Sequence, residues 1–140
     1  MGCGFFRSER SKDNPQERMQ PMERFRFAQE DGAFRVEAEV LRCGMDGCIW
    51  IYGGDTPHIG AVSVGGEGAR PQEVIFPGHR EEGIVRYFRE TLLEKQLFRH
   101  CVICCGIHYD SIDRDGINTV VALCNRLCAR VCEKLEEGRA

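Results

Sequence analysis

The chain has 140 residues, a length that buries a hydrophobic core in one domain without disulfide or metal staples. Its composition, 42% hydrophobic and 29% charged, is that of a globular protein, and a formal net charge of −3 excludes a global positive field that would recruit nucleic acid or an anionic membrane. No apolar run approaches the roughly 20 residues needed to span a bilayer.

Residues 1–21 are polar, contain Pro15 and Pro21 and lack the apolar segment of a secretion signal, so they read as a mobile polar tail. Phe6 stands where N-myristoylation after Gly2 requires Ser or Thr. Residues 22–140 then read as a single α+β ligand-binding domain. Phe25 and Phe27 open a first strand, and Asp31-Gly32 forms a turn. Phe34, Val36, Ala38 and Val40 alternate with Arg35, Glu37 and Glu39, the period of a strand with one solvated face. After a turn at 44–47, Cys48–Tyr52 makes a third strand. Gly53-Gly54-Asp55-Thr56-Pro57 leads to a fourth at 58–64, and 72–76 is a short fifth. Ile84, Val85, Phe88, Leu92 and Leu97 mark one face of a helix from about 79 to 97. The run at 101–107 is almost continuously apolar and predicts a central sixth strand. A long helix from about 113 to 136 follows. The order is βββββαβα: a mainly antiparallel sheet of about six strands flanked by two helices.

Nine cysteines, an odd count without a secretion signal, point to reduced thiols and a cytoplasmic setting. Cys124, Cys128 and Cys132 recur at helical spacing with Ile117, Val120, Val121, Val131 and Leu135, which reads as a core stripe. Cys101 and Cys104 lie three apart in a strand, so their sulfurs point to opposite faces and do not converge on one ion. Cys43 and Cys48 flank the 44–47 turn, a spacing open to a redox-sensitive bridge, with two buried thiols the default reading.

Short connections between antiparallel neighbours place the loops after strands three, five and six on one edge. Those loops carry Asp55 and His58, then Gly78, His79 and Arg80, then Gly106, His108, Tyr109 and Asp110. His100 falls at the opposite end. Both helix N-termini reach the same edge, with glycine-rich backbone at Gly53, Gly54, Gly78 and Gly106 and a fixed charge at Arg80, a generic anion site. Neither a P-loop nor a dinucleotide fingerprint is present. Simpler roles exist for each residue: turn chemistry at Asp55, capping at His79, Ser111 or Asp113, and dipole complementarity at Glu81 and Glu82.

The phrases GGDTPHIGAVSV, PGHREE and GIHYD resemble the LpdD-like proteins, associated with prenylated-flavin-dependent decarboxylases of the UbiD type such as gallate decarboxylase; the likeness spans about residues 22–137. That family often places Asn after GIH-x-D, where this chain has Ser111, and cysteine richness is not one of its features. The resemblance implies a homodimeric chaperone with a fold like that of certain proteasome assembly chaperones. It would hold reduced prenylated FMN and pass it to an apo-decarboxylase. Such a ligand would place its phosphate at the helix N-termini with Arg80 and His79. His58, His108 and Asp110 would face its polar atoms, and Ile59, Ile107 and Tyr109 would cover the ring. The phosphate contact is direct or runs through a divalent or monovalent cation. Two rival readings stand beside it. One is a metal-dependent enzyme built on His58, His79 and His108 with Asp55 or Asp110; the other is an assembly module without a small ligand.

Overall fold

The structure, a computed structural model, describes residues 22–137. The N-terminal tail expected at 1–21 and the last three residues of the chain lie outside the described residues. The elements are β1 (Glu23–Asp31), β2 (Phe34–Cys43), β3 (Asp46–Gly54), β4 (Ala61–Gly66), β5 (Ala69–Ile75), α1 (Glu82–Glu94), β6 (His100–His108) and α2 (Arg114–Glu137). The expected βββββαβα order of an α+β fold is therefore present. Element ends differ by a few residues. β4 starts at Ala61 rather than 58, because Pro57 and the rim loop intervene, and β5 extends back to Ala69. α1 is shorter at both ends than the apolar periodicity suggested: Pro77 and Gly78 form a turn before it, and Gln96 adopts a positive φ after it.

All six strands form one sheet in the order β1-β2-β3-β6-β4-β5. Every neighbouring pair is antiparallel except β3 and β6, which run parallel in the centre. The β2–β3 hairpin turns on Gly44 at φ 62°, a left-handed conformation that glycine adopts without the cost a Cβ imposes.

Both helices lie on the same face of the sheet, α1 over β4 and β6, α2 over β1 and β2. The core between them is built from alternate strand residues (Val36, Ala38 and Val40; Ile49 and Ile51; Cys101, Ile103 and Cys105) meeting Val85, Phe88, Leu92, Leu123, Leu127 and Val131 of the helices. A polar pair, Arg89 and Ser63, is buried beside it. Arg89 of α1 donates to Ser63 Oγ at 2.7 Å and lies 3.5 Å from Glu73, in space left by Gly65. Elsewhere helix cations cover strand aromatics, Arg130 over Phe27 and Lys134 over Phe25.

The stripe Cys124, Cys128 and Cys132 is buried as core, and Cys101 is buried while Cys104 sits on the opposite, open face. Two expectations are corrected. Ile117 and Val121 are exposed at 43% and 40%, because they face outward toward a cleft near the start of α2 rather than the sheet. Cys43 and Cys48 are both exposed, since they sit on the sheet face that carries no helix. Burial holds the Cys101 thiol up to about 11 and the Cys124 thiol up to about 12, against an ordinary value near 9.0.

These shifts carry a pH dependence. A thiol raised in the folded state ionises first in the unfolded chain, so its stabilising effect is complete below about 9 and is lost as pH climbs toward the folded value. Unfolding free energy should fall above pH ~9 by about 1.4 kcal/mol per pH unit for each such thiol. Urea titrations at stepped alkaline pH check this, and Cys124→Ala should give a shallower slope than the parent.

Candidate functional site

Parallel pairing fixes where the rim lies. β3 and β6 end level, Gly54 opposite His108, and the loop backbones lock together: Asp55 N–H donates to the His108 carbonyl at 2.7 Å, and Asp110 N–H to Asp55 Oδ2 at 3.0 Å. β4 pairs antiparallel to β6, and Gly60 continues that ladder by donating to the Cys105 carbonyl at 2.8 Å. The loops after β3, β5 and β6 therefore share one edge, as the alternation of direction requires. His100 lies at the far end, where its Nδ1 is 3.0 Å from Asp46 Oδ1.

Two of the three rim histidines meet. His58 Nε2 lies 3.0 Å from His79 Nδ1, with ring centroids 4.6 Å apart. His108 stands off, its ring centroid 6.4 Å from that of His58, and its Nε2 is 2.9 Å from Asp110 Oδ1. The third member of the close group is Glu81, whose Oε1 is 3.2 Å from His58 Nε2 and 3.8 Å from His79 Nδ1. Glu81 is the N-cap residue of α1, yet its side chain makes no capping hydrogen bond. Its carboxylate turns inward to 6% exposure, receives the Ile107 N–H at 3.4 Å through Oε1, and leaves Oε2 buried without a partner among the described residues. The capping reading of His79 is thereby corrected, since the N-cap position belongs to Glu81. The signal in the sequence was its position two residues after His79 in the same short loop.

Three of the rim glycines are required by contact between backbones of the chain itself. A methyl group at Gly106 would collide with the His58 carbonyl, and one at Gly54 with the His108 carbonyl, so both exist because rim backbones touch each other. Gly53 likewise abuts the Arg35 carbonyl. Gly78 sits at φ 81° in an open turn. Tyr109 is pinned rather than free. Its hydroxyl accepts the Arg35 N–H and donates to the Arg35 carbonyl, each at 2.7 Å, and its ring meets Phe34 edge-on at 5.0 Å. At the other helix Asp113 Oδ1 accepts the Gly116 N–H at 2.7 Å, so Asp113 is the cap and Ser111 is not.

Between the start of α1, the end of β6 and the first turns of α2 lies an open cleft of about 360 Å³. Gly78, His79, Arg80 and Glu81 form one wall. Ile107, His108 and Tyr109 lie at its base, and Ile84, Ile112, Ile117, Val120 and Val121 supply apolar lining. His58 and Asp55 stand outside this set. Asp55, Gly53 and Gly54 border a separate depression with Arg35, Tyr52 and Tyr109. The apolar residues from α2 were missed in the sequence because helical spacing alone placed Ile117 and Val121 with the core.

A test of the rim glycines follows. Gly106→Ala should cost more than the roughly 1–3 kcal/mol of ordinary overpacking, because the obstructing atom is backbone. Gly78→Ala, in open space, should cost only the left-handed φ, about 1–2 kcal/mol. Chemical denaturation of the two variants orders them.

The model of the prenylated flavin chaperone LpdD-like domain matches residues 30–136 of this chain. Protein LpdD of Lactiplantibacillus plantarum (strain ATCC BAA-793 / NCIMB 8826 / WCFS1) is 25% identical over 114 residues, covering 79% of this chain and 84% of that protein. A solved chaperone complex for yeast 20S proteasome assembly superposes with a TM-score of 0.49 and 9% identity, over 81% of this chain and 97% of that one. With a match that takes in nearly all of the sheet and both helices, this chain belongs to the LpdD-like prenylated flavin chaperone family.

Proposed function

We propose that the chain carries reduced prenylated FMN in the cleft between the two helix starts and hands it to an apo-decarboxylase of the UbiD type. The observation that supports this is the composition of the cleft. An apolar lining of Ile84, Ile107, Ile112, Ile117 and Val121 suits a flat, prenyl-bearing ring, and the adjoining Arg80 and the start of α1 suit a phosphate. Its volume, about 360 Å³, is in the range of small-ligand sites and leaves part of a ligand exposed for transfer. Because Asp113 already caps α2, the phosphate belongs at α1, whose first amides have no side-chain cap. A carrier needs no nucleophile–base pair, and the roles assigned to these residues are holding and orienting, not bond making.

The sheet face without helices suits a protein partner. Val64, Val74 and Val102 are exposed there at 43%, 55% and 36%, beside Leu41, Trp50 and Cys104. Contiguous apolar surface of this kind marks an interaction site. We assign it to a second copy of the chain, giving a homodimer with the rim of each protomer left open for ligand and client.

Anaerobic titration with reduced prenylated FMN, with FMN and reduced FMN as controls, should give selective binding, followed by restored decarboxylation when an apo-decarboxylase is added. Ile117→Asp should abolish binding while changing stability by no more than about 0.5 kcal/mol, since the position is already exposed. Binding of no flavin by the folded protein would refute the reading. For the dimer, sedimentation of Val102→Lys should show a monomer where the parent sediments as a pair.

A further inference from the structure

We propose that His58, His79 and Glu81 form a binding site for a divalent transition metal of the zinc class. Three donor atoms converge from two loops: His58 Nε2, His79 Nδ1 and Glu81 Oε1, mutually 3.0, 3.2 and 3.8 Å apart. Ligands at 2.0–2.1 Å around a tetrahedral ion are separated by about 3.3 Å, a value these spacings bracket. Two histidines and one glutamate make a donor set that leaves a fourth position open to water or an anionic oxygen.

The hydrogen atoms point the same way. His58 Nδ1 lies 3.0 Å from the Thr56 carbonyl, which can only accept, so Nδ1 carries the hydrogen and a neutral His58 presents a bare lone pair at Nε2. That lone pair faces the Glu81 carboxylate at 3.2 Å, two acceptors in contact unless a proton or a metal ion lies between them. A backbone carbonyl holding the far nitrogen of an imidazole is the usual outer support of a metal-bound histidine. The carboxylate is supported as well. The Ile107 N–H holds Oε1, Gly60 leaves the room that Glu81 occupies, and the buried Oε2 has no partner among the described residues. His108 takes no part because its Nε2 is engaged by Asp110. The set contains no thiol, so it is distinct from the cysteines on the open face.

The test uses the full chain, stripped with chelator and titrated with Zn²⁺ and with Co²⁺ alone, in a Cys3→Ser/Cys43→Ser/Cys48→Ser background, which removes Cys3 and the two thiols exposed among the described residues. The expected result is one ion per chain, with visible d–d absorption from Co²⁺ and no thiolate charge-transfer band, and a Tm that rises with added metal. Glu81→Gln, nearly isosteric, and His58→Ala should each weaken binding by about tenfold or more while far-UV circular dichroism stays unchanged. If His58→Ala fails to fold, Glu81→Gln decides alone. Absence of stoichiometric binding in the parent, or binding that survives Glu81→Gln, would overturn the proposal. Since no flavin enters the titration, either result is independent of the carrier reading.

Discussion

The parallel pairing of β3 with β6 is the constraint on which the site depends. In an all-antiparallel meander the ends of successive strands alternate between edges, and residues near 55 and 109 would have no reason to meet. Here β4, β5 and α1 form an excursion that returns β6 beside β3 in the same direction, with Gly54 level with His108. The two strand ends then fuse through Asp55 and Asp110, and β4 leaves beside them through Gly60. Backbones this close tolerate no side chains at their crossing points, which is why glycine occupies 54 and 106. The rim is therefore held by main-chain bonds, and the imidazoles and carboxylate project from a frame that the core sheet fixes.

How much of this was legible follows from which physics each feature obeys. Alternation in β2 is set by burial on one face, and the apolar run of β6 marks a central strand although its second face, with Val102, is open, so strand identity and the central place of β6 could be read directly. The common edge of the three histidine loops required only the alternation of direction. Pairwise contact within that edge was not legible. Whether His58 meets His79 or His108 depends on the shape of the Pro57–Gly60 and Pro77–Arg80 loops, and no periodicity encodes it. Glu81 illustrates the point: at a helix start a glutamate has an ordinary dipole role, and only the fold shows that its carboxylate turns inward. Ile117 and Val121 lie one position round the helix from the buried Gly116 and Val120, so they face the cleft rather than the sheet.

One-sided coverage of the sheet separates tasks. The helices and core occupy one face, the open face carries Trp50, Val64, Val74 and Val102, and the cleft opens at an edge between the helix starts. Contact through the open face would leave the cleft accessible, so assembly and ligand exchange need not compete for surface. The thiols follow the same division. Cys101, Cys105 and Cys124 beneath the helices have their thiols pushed up by burial and pack as small hydrophobes, while Cys43 and Cys48 share the open face, where a neighbouring chain would shield them.

The field in the cleft depends on what lies between the two histidines and Glu81. Glu81 and His79 line the same wall that Arg80 and the α1 amides offer to an anion. An uncompensated carboxylate a few ångströms from a phosphate would oppose it by about 4 kcal/mol per unit charge at an effective dielectric near 20, comparable to what a helix N-terminus and one arginine contribute. A divalent ion held by His58, His79 and Glu81 reverses that sign, turning the wall into a net positive surface with an open coordination position. If the cleft takes an anion, the buried, half-satisfied carboxylate would oppose it with the proposed metal site empty and favour it with the site filled, so metal occupancy would then set ligand affinity.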